Sequence, residues 1–415
     1  MQKILIISLL LLLWVSSFSQ TVNGSNNTLL GQDLDGESVN AITTAVPFLS
    51  IAPDSRAGAM GDAGVATTPD VNSQHWNPAK YAFMENDMGF SVSYTPWLKG
   101  LVNDINLGYV CGYYRFADDQ TVSGSLLYFS LGDITFTDNE GNTIGQGDPK
   151  EFAIDGAYSR MFSDHVSGSV ALRYIHSDLT SGYEFNNVDS KPGQSVAADV
   201  SAYYENDVVI SEKEAKLMFG MNISNIGAKI SYTANADKDF IPTNLRLGGG
   251  LKVNIDEYNT MLFTADVNKL LVPTTPVYYP DSVDLDGNLI PMFGKDPNVS
   301  VPLGMIQSFY DAPGIYNDKT GNVSVMKEEL RELMYSFGME YWYAKQFAIR
   351  GGYFHEHATK GNRKFFTVGF GLKLNVFSLD FAYLIPTRQK HPLENTLRFT
   401  ITFDLENFES QAVVE

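Results

Sequence analysis

The sequence is poor in cysteine and in basic residues, and after its first twenty residues it has no long apolar run. Its one cysteine, Cys111, excludes a disulfide framework and any metal site built from several cysteines. Lys and Arg number 29 against 48 Asp and Glu, and the resulting formal charge of −19 argues against a nucleic-acid partner. A transmembrane helix needs about 20 consecutive apolar residues, so any crossing of a membrane must use strands.

The N-terminus is typical of an export signal. Lys3 precedes an apolar stretch from Ile4 to Val15, and small residues at Ser17 and Ser19 then mark a cleavage site. We expect residues 1–19 to be a signal peptide. The residue directly after the cleavage point is not a cysteine, so a lipid anchor is not expected.

Period-two alternation of apolar and polar residues is the strongest pattern in the chain. In "KFFTVGFGLKLN" the residues Phe366, Val368 and Phe370 alternate with threonine and glycine, as in a strand with one apolar face. Most such segments have nine to thirteen residues, which suits a tilted strand crossing a bilayer. They lie near 88–96, 105–116, 120–131, 150–162, 166–177, 195–207, 215–225, 243–255, 259–269, 333–343, 346–357, 364–375, 377–385 and 394–404.

The connections between these segments alternate between tight and long. The tight ones are "ADDQ", "SDH", "NDVVISEK", "DEY", "AKQ" and "NV", and the long ones include 97–104, 133–149, 178–194, 226–242 and 270–332. Short turns on one side and long loops on the other are typical of outer-membrane barrels, whose tight turns face the periplasm. The predicted fold is therefore an all-β transmembrane barrel of about 14 antiparallel strands, over 88–404, in the outer membrane and in contact with lipid and lipopolysaccharide.

Two segments precede the predicted barrel. Residues 20–44 are polar and acidic, and we expect a flexible arm there. Residues 45–87 mix small residues with turn signals and with Trp76, Asn77 and Pro78, a composition that suits a plug inside the lumen. The alternative is an arm packed on the outer surface. Residues 405–415 form a C-terminal tail.

Charged residues recur on the polar faces of the predicted strands. They are Asp266, Glu340, Arg350, Glu356, Lys373, Asp380 and Arg398. A selectivity lining would segregate one sign into rings, whereas here opposite signs are interleaved. The pattern favours a network of ion pairs that holds the wall or the plug.

Residues for catalysis or for a cofactor are not apparent. His355 and His357 form an H-x-H pair without a third ligand nearby, and no serine sits in a G-x-S-x-G turn. We therefore predict no catalytic residues, no metal site and no cofactor.

The loop 270–332 is the largest irregular segment and is rich in proline and aromatic residues. It ends in "MKEELRELM", a short amphipathic helix. Such a loop is either a contact surface for another protein or a cap on its own barrel. The contact candidates on the long loops are Trp97, Phe136, Tyr278, Tyr279, Phe309 and Tyr310.

Several stretches resemble known outer-membrane proteins. "SRAGAMGDAGVATTPDVNSQHWNPAKYAF" is similar to the N-terminal region of FadL-like barrels. "MEYWYAKQFAIRGGYFHE", "GNRKFFTVGFGLKLN", "LDFAYLIP" and "HPLENTLRF" resemble the PorV (LptO) family, type IX secretion subunits of Bacteroidetes-type bacteria. The resemblance spans nearly the whole mature chain, and its C-terminal stretches are the most specific.

This resemblance implies a fourteen-stranded barrel without enzymatic activity. It also implies three protein partners: the C-terminal signal domain of secreted cargo, a SprA-type translocon, and a PorU-type sortase complex for surface attachment. A lipid A deacylase role has been suggested for the family, but the sequence offers no catalytic constellation for it. The alternative function is FadL-type transport of hydrophobic small molecules, which would need an apolar pocket beside the plug.

Overall fold

Along much of each strand, the exposed side chains are apolar and the buried ones are polar or small, although some large residues such as Leu107 and Tyr203 are also buried. Leu172 is 70% exposed, whereas its neighbours Ala171 and Arg173 are buried. The same alternation runs through the first strand, where Phe90 and Val92 are exposed and Ser91 is fully buried. A protein in water would have the opposite polarity, so the outer face of these strands is built for hydrocarbon.

The computed structural model describes residues 39–99, 102, 104–137, 143–180, 190–233, 238–283, 289–317, 322–375, 377–388 and 391–404. The predicted signal peptide (1–19), most of the predicted arm (20–44) and the predicted tail (405–415) lie outside these residues. No helix within the described ranges is long and apolar enough to cross a membrane.

Fourteen antiparallel strands form one closed barrel, as predicted. Its ring is closed by the pairing of the first strand with the last, from Gly89 opposite Asp404 to Tyr94 opposite Phe399. In ring order, the barrel strands are β1 (Met88–Pro96), β2 (Asn106–Ala117), β3 (Gln120–Ser130), β6 (Lys150–Ser163), β7 (Val166–Asp178), β8 (Gly193–Ile210), β9 (Lys213–Gly227), β10 (Asn244–Asn254), β11 (Asn259–Leu270), β16 (Met334–Tyr343), β17 (Phe347–His355), β18 (Lys364–Lys373), β19 (Phe377–Pro386) and β20 (Leu397–Asp404).

Apart from the helical turns that precede β1, the remaining elements belong to long connections at one end of the barrel, which we call the long-loop end. They are two-stranded sheets and short helices: β4 (Ile134–Thr137) with β5 (Thr143–Gly147), β12 (Val277–Val283) with β13 (Leu289–Phe293), β14 (Ile315–Asn317) with β15 (Asn322–Ser324), and the helices Val301–Gln307 and Val325–Arg331. The opposite, short-turn end has only tight connections.

One predicted connection is wrong. The sequence "NDVVISEK" was expected to be a turn, but β8 continues to Ile210 and β9 begins at Lys213. The turn is only Ser211 and Glu212, which have positive φ of 49° and 65°, as in the two-residue turns that match strand twist. Asn206 and Asp207 interrupt the alternation of apolar and polar residues here, whereas the backbone pairing continues to Ile210 opposite Lys213.

The residues before β1 lie against the inward face of the strands. We call residues 45–83 the lumen segment; its helical turns are Pro47–Ser50, Ser55–Gly58, Ser73–Trp76 and Pro78–Phe83. Ser55 N–H donates to Thr400 Oγ1 (2.9 Å), and Ser159 Oγ donates to the carbonyl of Pro78 (2.8 Å). Just before it, Asn40 N–H donates to the carbonyl of Thr359 (2.8 Å) at the long-loop end.

The turn between β8 and β9 generates a stability prediction. Neither Ser211 nor Glu212 favours the left-handed region that both occupy. We expect the double substitution Ser211→Asn and Glu212→Gly to raise the free energy of unfolding by about 1 kcal/mol. Urea unfolding in lipid vesicles measures this change, and an unchanged or lower value would contradict the turn geometry.

Candidate functional site

Glycines on the barrel wall allow the lumen segment to approach the strands closely. A Cβ built on Gly352 would lie 2.1 Å from the amide nitrogen of Gly61, and one on Gly220 would lie 2.1 Å from the carbonyl oxygen of Val65. Gly250, Gly338 and Gly369 would collide in the same way with residues 59–66. The wall and the lumen segment therefore meet backbone to backbone, where only glycine fits.

The three residues predicted for the plug lie in the lumen segment, and two of them bond to the wall. Trp76 Nε1 donates to Asp54 Oδ1 (2.7 Å) within the segment. Asn77 Nδ2 donates to the carbonyls of Val65 and Ala202 (3.0 Å each), and the second of these is on β8. The carbonyl of Pro78 accepts from β6, as noted above.

A chain of buried ion pairs links the lumen segment to three strands. Arg56 contacts Asp70 (2.7 Å) within the segment and Glu340 (2.8 Å) on β16. Glu340 also accepts from Arg350 Nε (2.6 Å) on β17, and Arg350 Nη1 lies 2.5 Å from Asp380 on β19. Positive and negative side chains alternate along this chain of ion pairs and neutralise each other. They do not form a ring of one charge sign, as an ion-selective lining would.

Two further residues of the predicted charge set hold the lumen segment. Asp266 Oδ2 accepts from the N–H groups of Gly64 (2.7 Å) and Val65 (3.0 Å). Arg398 Nη1 contacts Asp62 at 3.2 Å. On the wall, Asp266 thus accepts hydrogen bonds from the backbone of the lumen segment, and Arg398 pairs with a carboxylate of that segment.

The structure places the other two predicted charges elsewhere. Glu356 is buried at the long-loop end, where it pairs with Arg363 (2.9 Å). Lys373 is exposed at the short-turn end, where its N–H donates to the carbonyl of Gln346 (2.7 Å). Its prediction as a member of the network is wrong, because β18 ends at this residue and carries the side chain out of the lumen.

Sequence reasoning missed a second buried ionic group on β6, β7 and β8. Arg173 Nη2 contacts Asp155 (2.8 Å) and Asp199 (3.0 Å), and all three side chains are buried. Their positions alternate with exposed apolar residues, so the signal was present in the strand pattern. The partners within the lumen segment, such as Arg56, gave no comparable signal because that segment has no period.

The space between the lumen segment and the wall is small. A cavity lined by residues including Leu49, His75, Tyr109 and Arg173 has a volume of about 10 Å³, room for no more than one water molecule. The lumen around these residues is packed rather than open.

At the long-loop end, the helix Val325–Arg331, which we call the cap helix, is tied to the barrel rim by two lysines. Lys269 Nζ donates to Glu329 (3.0 Å) and to Glu332 (2.7 Å). Lys360 Nζ donates to Glu328 (2.6 Å) and to Glu332 (3.0 Å). The inner face of this predicted amphipathic helix therefore caps the barrel.

Near the cap helix, the buried carboxyl group of Asp311 has few hydrogen-bond partners. Its Oδ2 accepts from the N–H of Thr274 (3.2 Å), and its Oδ1 has no hydrogen-bond partner among the described residues. Burial, together with the nearby Glu329 and Glu332, raises the pKa of Asp311 to about 7, although Lys269 acts in the opposite direction.

The six predicted contact residues divide into two groups. Tyr279, Phe309 and Tyr310 are exposed on the long loop, and Tyr278 is half-buried. Trp97 and Phe136 do not fit their predicted role. Trp97 packs against buried apolar clusters under the loops, and Phe136 is buried in the sheet of β4 and β5, because a large ring near the end of a strand gains most by covering its own barrel.

Other exposed apolar side chains of the long loop were not singled out from the sequence. Ile306 is 62% exposed on the helix Val301–Gln307, and Met326 is 67% exposed on the outer side of the cap helix. Others are Val277, Leu289, Met292, Leu303 and Leu330. Together they form an exposed apolar surface at the long-loop end, outside the lipid-facing strands. Within the described residues, no group of His, Cys, Asp and Glu could hold a metal ion.

The family model for the type IX secretion system protein PorV matches residues 34–277. None of the curated proteins matches the chain.

Among solved structures, the chain is similar to several outer-membrane proteins. One is the Pseudomonas putida toluene transporter TodX, with 8% identity over 84% of this chain and 97% of that chain and a TM-score of 0.47. The Ralstonia pickettii toluene transporter TbuX has 11% identity over 85% and 97%, with a TM-score of 0.43. A Pseudomonas aeruginosa FadL homologue has 11% identity over 88% and 100%, with a TM-score of 0.41. Nothing about what this chain binds follows from similarity at these levels.

Two adjacent glycines of β17 allow a matched test of the lumen contact. Gly352→Ala places a methyl group against the backbone of Gly61, whereas at Gly351 the nearest atom is 3.8 Å away. We expect Gly352→Ala to lower the free energy of unfolding by about 1–3 kcal/mol and to open the lumen segment to protease. Gly351→Ala should behave as the wild type in both assays. Equal effects of the two substitutions would contradict the contact.

The cap should respond to pH through Asp311. Its carboxyl has a pKa of about 7 in the closed cap and an ordinary value of 3.8 when exposed, so between these values only the open state releases the proton. Raising the pH from 5 to 7 should favour opening by about tenfold per unit, measured as amide exchange in the cap helix after correction for intrinsic rates. Asp311→Asn should weaken this dependence and leave the smaller contribution of Glu329, whose pKa is also raised by burial. An unchanged dependence in the variant would assign it to another group.

Proposed function

The chain belongs to the PorV family of type IX secretion system proteins, and from this premise we propose that it binds secreted cargo at the translocon and passes the cargo to the surface-attachment machinery. The proposed site is the outer surface of the long-loop end. The observation that carries the proposal is the combination of exposed apolar side chains at this end with a packed lumen beneath them.

The geometry supports docking rather than conduction. The lumen segment is held by buried ion pairs and by backbone contacts at wall glycines, and the cap helix is tied across the rim. A polypeptide passing through the barrel would have to break these contacts together. A polypeptide bound on top would need none of them to change.

The family assignment guides the choice of partners. In our proposal, the long-loop end contacts the C-terminal domain of secreted cargo and a SprA-type translocon, and then a PorU-type sortase complex. The exposed Tyr279, Ile306, Phe309 and Met326 are the anchors, since aromatic and long apolar side chains at the centre of an interface provide most of its binding energy. We propose no catalytic role for the chain.

The proposed location is the outer membrane, reached through the N-terminal signal. The lipid-facing polarity of the strands supports this location, and so does the sorting of the connections into long loops and short turns. By that sorting, the long-loop end faces the cell exterior and the short-turn end faces the periplasm.

Transport of hydrophobic small molecules receives less support. That function would need an apolar pocket beside the lumen segment. The cavity observed there, about 10 Å³, is lined by His75, Asp155 and Arg173 as well as apolar residues. Its volume is far below the 300–1,000 Å³ or so of typical ligand pockets. A larger cavity, of about 420 Å³, is an open groove on the outer wall, where Phe90, Tyr114 and Val122 are exposed.

A pair of substitutions tests the docking surface. Ile306 and Tyr258 are exposed to the same degree, 62% and 60%, but Tyr258 lies at the short-turn end. We expect Ile306→Glu to reduce the cargo and translocon that co-purify with the protein from native membranes by about tenfold, because a buried carboxylate opposes an apolar interface. Tyr258→Glu should leave both amounts unchanged.

Gel mobility without heating provides the folding control for both variants. If Ile306→Glu retains its partners, and Met326→Glu does so as well, the outer surface of the long loop is not where they bind.

A further inference from the structure

The hairpin of β8 and β9 extends beyond its neighbour at the short-turn end. The pairing of β7 with β8 stops at Val166 opposite Tyr204. Beyond that point, residues 206–210 of β8 pair only with residues 213–217 of β9. The overhang on the β7 side is roughly 16 Å, at about 3.3 Å per residue.

The outer edge of this overhang has free backbone groups whose direction can be deduced. Glu205 N–H donates to the carbonyl of His165 (3.0 Å), and His165 Nδ1 lies 3.1 Å from the carbonyl oxygen of Glu205. The backbone groups of Glu205 therefore point toward β7. Because this direction alternates along an antiparallel strand, those of Asp207 and Val209 point the same way. There the described part of the chain has no further strand, since β7 begins at Val166.

The side chains at this edge are unusual for a surface in water. Val209 is 75% exposed, the highest value of any large apolar residue in the described ranges, and the adjacent Ile210 is also exposed. This part of the hairpin lies beyond the lipid-facing band, on the short-turn side. Asp207 is 85% exposed there, and Glu212 and Glu214 are exposed beside it. Free edges that combine apolar residues with unpaired backbone groups bind additional strands.

The charge around the edge is predominantly acidic. Asp164, Asp207, Glu212 and Glu214 are all exposed there. The hairpin also carries two lysines, of which Lys213 donates to the carbonyl of Ile255 and Lys216 contacts Glu205 and lies 3.8 Å from Asp207, so the four exposed carboxylates outnumber the nearby lysines. A strand bound at this edge is therefore favoured when it is basic.

We propose that the free edge of β8 is a docking site for a basic, extended segment of another protein, which adds as an antiparallel strand at the short-turn end. Its backbone pairs with Asp207 and Val209, a Lys or Arg faces Asp207, and an apolar residue faces Val209. This site goes beyond the function proposed above, which uses only the opposite end of the barrel.

Two other occupants fit less well. The chain's own last residues, 405–415, contain Glu406, Glu409 and Glu415 and no Lys or Arg, so their charge has the same sign as the edge. The hairpin of a second copy would bring the same acidic cluster opposite itself. Like charges across a strand pair are destabilising.

The test uses photo-crosslinking in intact cells. A benzoylphenylalanine replaces Ile210, which is exposed at the end of β8 and leaves Asp207 in place, and the control carries it at Tyr258, on another turn of the same end. Each crosslinker is introduced into three forms of the protein: the wild type, the Val209→Pro variant and the Val209→Thr variant. Proline removes the outward N–H of Val209 without removing a bond to β9, since edge positions facing away from the partner strand tolerate it. Threonine keeps that N–H.

Position 210 should crosslink to a segment of another protein that mass spectrometry shows to be basic with alternating apolar residues. The yield should fall at least tenfold with Val209→Pro and stay within twofold with Val209→Thr. Heat-modified gel mobility confirms that each variant is folded.

Four outcomes would overturn the proposal: no crosslink above the level at position 258, a crosslink to residues 405–415 or to a second copy, a segment without basic character, or a yield that proline leaves unchanged. Cargo co-purification in the same cells separates this site from the long-loop end. Loss of the crosslink with normal cargo binding assigns the two surfaces independent roles.

Discussion

Hydrocarbon around the strands is the constraint on which the rest of this structure depends. A bilayer interior offers no hydrogen bonds, so every strand must find partners on both sides, and the pairing of β1 with β20 removes the last free edge. The same solvent reverses the polarity of the side chains. Phe366 and Phe370 face outward, while Thr367 between them is buried. The polar interior that results must then satisfy its own hydrogen bonds.

The lumen segment meets that need. Asp266 would be an unpaired buried carboxylate without the N–H groups of Gly64 and Val65, and Glu340 would lose one of its two arginines without Arg56. Breaking a buried pair by removing one partner costs about 3–5 kcal/mol. Wall and segment are therefore stabilised together, and displacement of the segment as a gate would be expensive. This cost is the physical reason to seek function on the outer surfaces of the barrel.

The sequence predicts the wall better than its contents. Period-two alternation located all 14 strands and several of the inward charges, among them Asp266, Glu340 and Arg350, because a lipid-facing surface imposes one rule on every strand. The rule fails where lipid ends. β8 was expected to end near Asp207 and β9 to begin near Ala215, because Asn206 and Asp207 interrupt the alternation. Lys373 was assigned to the lumen, although its strand ends at this residue. The partners of the charges lie on an irregular segment, and the burial of Trp97 depends on loops that have no period. Contacts between distant segments decide these cases, and one sequence does not contain them.

The two ends of the barrel present different recognition chemistry, and the difference follows from how each is built. At the long-loop end, short helices and small sheets are held by charged side chains such as Lys269 and Glu332, so the surface offered is one of side chains such as Ile306 and Met326. At the short-turn end, the wall simply continues past its neighbour, and what it offers is backbone. Side-chain surfaces distinguish partners by shape, whereas a free edge accepts any strand of suitable charge and pattern. In the function that we propose, selection among secreted proteins is therefore a task for the long-loop end, and a constant partner suits the short-turn end.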